Sequence, residues 1–180
     1  MLEEDEVTLT FRVQIFTVFL AIVAIAMPAF AEQYCSDEGH ARSFEQRDDG
    51  IAIDRQRGLM WMRCAYGQRW NAGRCEHNAE TFTWKEAQME IARFNDEGGA
   101  YGFIDWRLPT IEELQSLVVP GCEDPALDTR VFPDAPVTAY WTSTFDPVYE
   151  PGVMLVHFVN GRVYMGNRAV HWAMRLVRQS

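Results

Sequence analysis

Five prolines, Pro125, Pro133, Pro136, Pro147 and Pro151, punctuate residues 125–151, and they limit what this chain can fold into more than any other feature. A proline inside a helix removes a hydrogen bond and clashes with the preceding turn, so this stretch has to be built from strands and turns. Helical signals are confined to residues 83–119. Thr83-Trp84-Lys85-Glu86 and Thr110-Ile111-Glu112-Glu113 are both capping boxes, with Thr at the N-cap and Glu three residues on. Behind the first box, Trp84, Ala87, Ile91 and Phe94 fall at helical spacing, and Gly98-Gly99 ends the segment. Behind the second, Ile111, Leu114, Leu117 and Val118 form an apolar stripe that Pro120-Gly121 stops. Glu112 and Glu113 complement the dipole of that second helix.

Strand signals flank the two helices. Ile51-Ala52-Ile53-Asp54 alternates, Arg57-Gly58 turns the chain, and Leu59-Met60-Trp61-Met62 returns as an early hairpin. Residues 139–144 and 153–159 are β-rich. Asn160-Gly161 then gives a strong hairpin signal, with Arg162-Val163-Tyr164-Met165 as the returning strand. Trp172, Met174 and Leu176 alternate with Ala173, Arg175 and Val177, which predicts one last strand, paired with the early hairpin. The pattern is that of a single α+β domain, with two short helices and a twisted antiparallel sheet. It covers residues 48–180 and is preceded by an N-terminal arm, residues 32–47.

Residues 1–31 read as a secretory leader. The run from Ile15 to Met27 is apolar except for Thr17, too short for the roughly 20 residues a spanning helix needs, and Ala29-Phe30-Ala31 is a small-x-small cleavage site. Glu3, Glu4, Asp5 and Glu6 are acidic where a leader is normally basic, and initiation near Val7 is one explanation. All four cysteines, Cys35, Cys64, Cys75 and Cys122, follow the cleavage site, and an even count in an exported chain predicts two disulfides. Three pairings are open. The short polar loop between Cys64 and Cys75, with Gly67, Asn71 and Gly73, favours that pair and leaves Cys35 with Cys122.

The net charge of −10 opposes nucleic-acid binding, which calls for a basic stripe. No Gly-rich phosphate loop, G-x-S-x-G or H-E-x-x-H occurs, and the histidines His40, His77, His157 and His171 are scattered. No catalytic residue, metal ligand or cofactor is assigned. Six tryptophans carry more information. Trp84 and Trp141 sit in periodic apolar patterns and read as core. Tyr164, Asn167, Arg168, His171 and Trp172 combine aromatic faces with amide and cationic donors, a makeup suited to sugar rings and hydroxyls, and form the candidate ligand-binding set.

Four ordered blocks resemble a known family. They are Asp54 with Gly58-Leu59-Met60-Trp61-Met62-Arg63-Cys64; Trp84-Lys85-Glu86-Ala87; Asp105-Trp106-Arg107-Leu108-Pro109-Thr110 with Glu113-Leu114; and Tyr140-Trp141-Thr142-Ser143-Thr144 with Arg175-Leu176-Val177-Arg178. Together they resemble the family named for the C-terminal domain of the collagen-like adhesin Lcl. The resemblance implies a C-type-lectin-like fold, related to the formylglycine-generating enzyme fold, in which the first and last strands pair. Asp105, Trp106, Arg107, Pro109, Thr110, Glu113 and Trp141 are expected to be structural, with Arg107 binding backbone carbonyls or an acid such as Asp105 or Glu113. The namesake adhesin binds sulfated polysaccharides, and relatives serve as display or ligand-binding modules. This chain departs from that pattern. It has no collagen-like stalk and is acidic. Glu150-Pro151-Gly152 is only a distant match to the calcium-site tripeptide of true C-type lectins, and no cysteine after Cys122 supports the chemistry of the enzyme relatives. The expected function is an exported, non-enzymatic module binding a glycan or a cell-envelope protein, with no nucleic acid and no membrane after cleavage. The alternatives are an accessory subunit of a surface assembly such as a pilus, or an enzyme acting on envelope material.

Overall fold

The computed structural model describes residues 33–35, 44–146, 148 and 152–180. The expected leader, residues 1–31, and Glu150-Pro151 lie outside the described residues, as does most of the arm. In chain order the elements are β1 (Tyr34–Cys35), β2 (Glu45–Gln46), β3 (Ile51–Asp54), β4 (Leu59–Met62), β5 (Arg69–Asn71), β6 (Arg74–Glu76), β7 (Thr81–Phe82), α1 (Trp84–Asp96), α2 (Ile111–Gln115), β8 (Cys122–Glu123), β9 (Ala139–Phe145), β10 (Val153–His157), β11 (Arg162–Gly166), β12 (Trp172–Ala173) and β13 (Val177–Gln179). The structure is mostly antiparallel sheet with two short helices, an α+β fold. The strands form not one sheet but a five-stranded sheet ordered β11-β10-β9-β12-β7, a four-stranded sheet ordered β13-β4-β3-β2, and two strand pairs, β1-β8 and β5-β6. Strand β2, within the expected arm, is already the edge of the four-stranded sheet.

Both capping boxes form. The Thr83 and Thr110 hydroxyls accept from the amides of Glu86 and Glu113, whose carboxylates accept in return from the Thr amides. These signals need only residues three apart, so the sequence displays them directly. Helix α2 is shorter than its apolar stripe suggests. It ends at Gln115, and Leu117 reaches the core from the following turn.

The hairpin β3-β4 is buried on both faces and partitions the interior. Ala52, Leu59 and Trp61 join one core with Leu114 of α2, Phe132, Tyr140 and Val156. Ile51, Ile53, Met60 and Met62 join a second with Ala87 and Ile91 of α1, Trp106, Trp141 and Leu155. Alternation along a strand therefore separates two apolar cores rather than core from solvent. Asp54 closes the hairpin turn, accepting from the amides of Gln56 and Arg57.

The C-terminal run departs from the expected single strand. Trp172-Ala173 lies between β7 and β9, whereas residues 177–179 pair antiparallel with β4, placing Val177 opposite Trp61. Arg175, between them, is fully buried instead of lying along a sheet surface. Its Nη1 donates to the carbonyls of Met62 (2.9 Å) and Arg63, and its guanidinium lies 4.7 Å from the centre of the Phe132 ring. Burial pulls its pKa below the usual arginine value, opposed by Tyr140.

Residues 124–138 form a long irregular segment that still supplies Leu127, Val131 and Phe132 to the core. Such loops need fastening. One tie is the Cys35–Cys122 disulfide within the pair β1-β8, where Gln33 also donates to the carbonyls of Pro125 and Leu127. Buried Arg63 is a second, donating to the carbonyls of Val131 (2.7 Å) and Arg130 (3.0 Å). Asp134 is the third, accepting from Arg74 (2.6 Å) and the Cys75 amide (3.0 Å).

Candidate ligand-binding cleft

The second disulfide, Cys64–Cys75, closes the short loop that carries the hairpin β5-β6. Trp70 sits opposite Cys75 in that hairpin, and Ala72 and Gly73 turn it with positive φ angles. The loop has little apolar periodicity of its own, and its shape comes from tethers. Gln68 accepts from the Ala65 amide and donates to the Asp134 carbonyl (3.0 Å). Hydrogen bonding to Arg74 and the Cys75 amide holds the Asp134 carboxyl below its usual range.

This loop forms one wall of a cleft of about 430 Å³, completed by the β2-β3 turn at Asp49, by Glu80, by Phe94 in the last turn of α1, and by Ala100 and Tyr101 beyond it. Aromatic rings dominate it. Tyr66 packs edge-on against Phe82 (5.8 Å) and Phe94 (5.5 Å), and its hydroxyl donates to Glu90 (2.6 Å). Burial and Glu90 together push its pKa up, so the hydroxyl stays protonated. Trp70 donates its Nε1–H to the Asp48 carbonyl (2.7 Å), and the Arg63 guanidinium lies 4.1 Å from the ring centre. Tyr101 packs on Trp106 (6.1 Å) and is 37% exposed. Gly50 lets these rings close over the backbone. It has φ +98°, and a Cβ there would lie 2.6 Å from Trp70 Cγ and 3.0 Å from the Tyr101 hydroxyl.

The polar groups of the cleft divide into committed and uncommitted. Asp49 pairs with Arg47 (2.5 Å), the Tyr66 hydroxyl is held by Glu90, and Gln68 is used on both sides. Glu80 and Arg69 are exposed, and neither makes an ion pair or side-chain hydrogen bond among the described residues. The cleft therefore offers rigid rings with an uncommitted carboxylate and an uncommitted guanidinium among the described residues. Among the described residues, no cluster of His, Cys, Asp and Glu could hold a metal ion.

The set expected from sequence is divided between two neighbourhoods. The Arg168 guanidinium lies against Trp84 (5.1 Å) and Phe145 (4.8 Å), its carbonyl accepts from the Trp84 amide, and its buried Nε has no hydrogen-bond partner among the described residues. His171 Nε2 lies 3.4 Å from Glu86 Oε2. Tyr164 and Trp172 instead flank His157, at 6.1 and 6.4 Å, and the Tyr164 hydroxyl accepts from Asn160. The Asn167 carboxamide accepts from the Ala169 amide. Neither group lines the 430 Å³ cleft.

The segment Asp105–Thr110 uses its polar groups internally. Asn95 clamps the Trp106 backbone through both amide and carbonyl, and Trp106 donates its indole N–H to the Ala100 carbonyl (3.1 Å). Arg107 grips Glu113 with both Nη groups (2.7 and 2.8 Å). Burial raises the Glu113 pKa, but the Arg107 fork and the Thr110 amide outweigh it and hold the carboxyl below its usual range. Asp105 pairs with Arg178 (2.7 Å). The Pro109 carbonyl accepts from Ser143 of β9, and Trp141 donates to the Phe82 carbonyl (2.7 Å). These bonds brace α1, α2, β9 and β13 together.

Sequence reasoning counted Trp70 only as one of six tryptophans, and did not single out Tyr66, Arg69, Glu80 or Tyr101. The available signal was a tryptophan in a polar disulfide loop, outside any apolar period. The model of one protein family, the Lcl C-terminal domain, matches residues 50–178. No curated protein matches the chain.

Proposed function

The chain belongs to the Lcl C-terminal domain family, and from that premise we propose that it is an exported, non-enzymatic module that binds a glycan in the cleft at Trp70. The observation that carries this reading is the tethered aromatic cleft itself. Its rings, Tyr66, Trp70 and Tyr101, offer apolar faces for the C–H faces of sugar rings, while Glu80 and Arg69 remain available for hydroxyls. The internal bonding of Asp49, Tyr66 and Trp70 supports a site formed before ligand arrives. A glycan array probed with the oxidised protein, with calcium and with a chelator, tests the reading. Binding is expected in both conditions, with no cleavage products. Absence of any bound glycan removes the glycan reading, and loss with chelator contradicts a calcium-free site.

A second reading, an envelope protein as partner, draws on Tyr164 and Met165, which are exposed on the edge strand β11. We also infer a C-type-lectin-like fold related to the formylglycine-generating enzyme fold. The pairing of β13 with β4, which brings the C-terminal segment onto the early hairpin, supports it. Two disulfides suit an oxidising compartment and so support export. Expressed in a bacterium with its leader, the protein is expected outside the cytoplasm, beginning at Glu32. Mass spectrometry of a cytoplasmic product with an intact leader would contradict that.

A further inference from the structure

We propose that the cleft selects uncharged saccharides and rejects polyanionic ones, an inference that rests on the cleft being the ligand site. Most of the charge around the cleft is already paired. Arg47 is held by Asp49, and Arg93 by Glu90 and Glu97. Arg63, beneath Trp70, commits its donors to Val131, Arg130 and Gln46. Arg69 is the one cation of the cleft lining left to a ligand among the described residues, and Glu80 is an equally uncommitted anion of that lining.

A sulfated chain requires repeated cations along its path, because each sulfate gives up strong hydration and must be matched by a donor. This cleft supplies one, together with a carboxylate in its lining that repels the same ligand, in a protein of net charge −10. A neutral pyranose has the opposite needs. It requires an apolar ring for one face, an acceptor for a hydroxyl hydrogen and a donor for a hydroxyl oxygen. Trp70, Glu80 and Arg69 provide these three. The volume of about 430 Å³ lies at the lower end of small-molecule sites, room for about one or two rings. Specificity here comes from the cost of leaving Glu80 facing an anion as much as from the attraction of the rings and Arg69 for a neutral sugar.

The test uses the oxidised full chain and a panel of oligosaccharide pairs that share a backbone and differ only in sulfation, dextran and dextran sulfate oligomers among them. Affinity is measured by calorimetry. At least one neutral member is expected to bind, its sulfated counterpart at least about tenfold more weakly. Neutral binding is expected to change less than about twofold between about 0.01 and about 0.15 M salt. Glu80→Gln is expected to narrow the gap between the two partners. Trp70→Ala and the more exposed Tyr101→Ala are each expected to weaken neutral binding about tenfold or more, with folding checked by near-UV circular dichroism. A sulfated member that binds as well as its neutral partner, and loses affinity with Tyr101→Ala, overturns the charge selection and leaves the site intact. Neutral binding untouched by both aromatic changes overturns the site. A panel without any binder overturns both.

Discussion

The brace at Asp105–Glu113 and the cleft around Trp70 contain the same kinds of residue, aromatic rings beside arginine and carboxylate, yet they use them differently. In the brace, Arg107 meets Glu113, Asp105 meets Arg178, and both Trp106 and its backbone are hydrogen-bonded. In the cleft the rings are fixed by protein partners, while Glu80 and Arg69 face solvent. A polar group that is buried must find a partner inside, and one that is exposed beside a fixed ring keeps its capacity for a ligand. The most recognisable motif of the chain is therefore its scaffold, and function is read from what that scaffold leaves uncommitted.

That contrast can be broken by mutation, beginning with the largest effect. Trp106→Ala removes a fully buried indole between α1 and the hairpin and is expected to cost about 3–5 kcal/mol. Thermal unfolding would report it, and glycan affinity of the remaining folded fraction should fall less than in the disulfide variant below, since only Tyr101 and Ala100 of the cleft lean on Trp106. A Cys64→Ser, Cys75→Ser double variant opens the loop that bears Trp70 and is expected to cost about 3 kcal/mol. Here affinity should fall along with Tm, because the disulfide holds the cleft wall. Equal loss of affinity in the Trp106 variant would erase the distinction between the two regions.

Smaller changes sharpen it. Glu113→Gln breaks the Arg107 fork and half of the α2 cap, with an expected loss of about 1–3 kcal/mol at neutral pH. Glu113 and Asp134 titrate below their ordinary values in the folded protein. Their stabilisation is therefore complete above the unfolded carboxylate pKa of about 4 and is lost as pH falls through the lower folded values. Acid unfolding of Glu113→Gln should accordingly show a shallower dependence on pH than the parent. Glu80→Gln, at an exposed side chain without an ion pair, should leave stability within about 0.5 kcal/mol while altering ligand selection. A chemical denaturation curve shifted beyond that range would mean Glu80 belongs to the scaffold.

The two helices were legible because a capping box spans four residues, and the hairpins β3-β4 and β10-β11 because their turns, at Gly58 and Gly161, are local. The Cys64–Cys75 pairing was favoured for the same reason of short range. The split of the C-terminal run was not legible. An arginine in an alternating apolar run reads as facing outward, and only the carbonyls of Met62 and Arg63, more than a hundred residues earlier in the chain, show why Arg175 turns inward. Nor was the cleft. Asp49, Trp70, Glu80 and Tyr101 come from four separate segments, so their proximity depends on tertiary packing and leaves no spacing to recognise.

The tryptophans supply the most direct test of the central claim, that the cleft and not the brace meets the ligand. Six indole N–H groups give six resonances in a nitrogen-edited NMR spectrum, and a neutral oligosaccharide can be titrated against all of them at once. The account predicts a saturable shift at Trp70, a smaller one at Trp106 behind Tyr101, and Trp141 unmoved. Shifts centred on Trp84 and Trp172, with Trp70 unmoved, would place the ligand on the Arg168 and Tyr164 surface instead and contradict it.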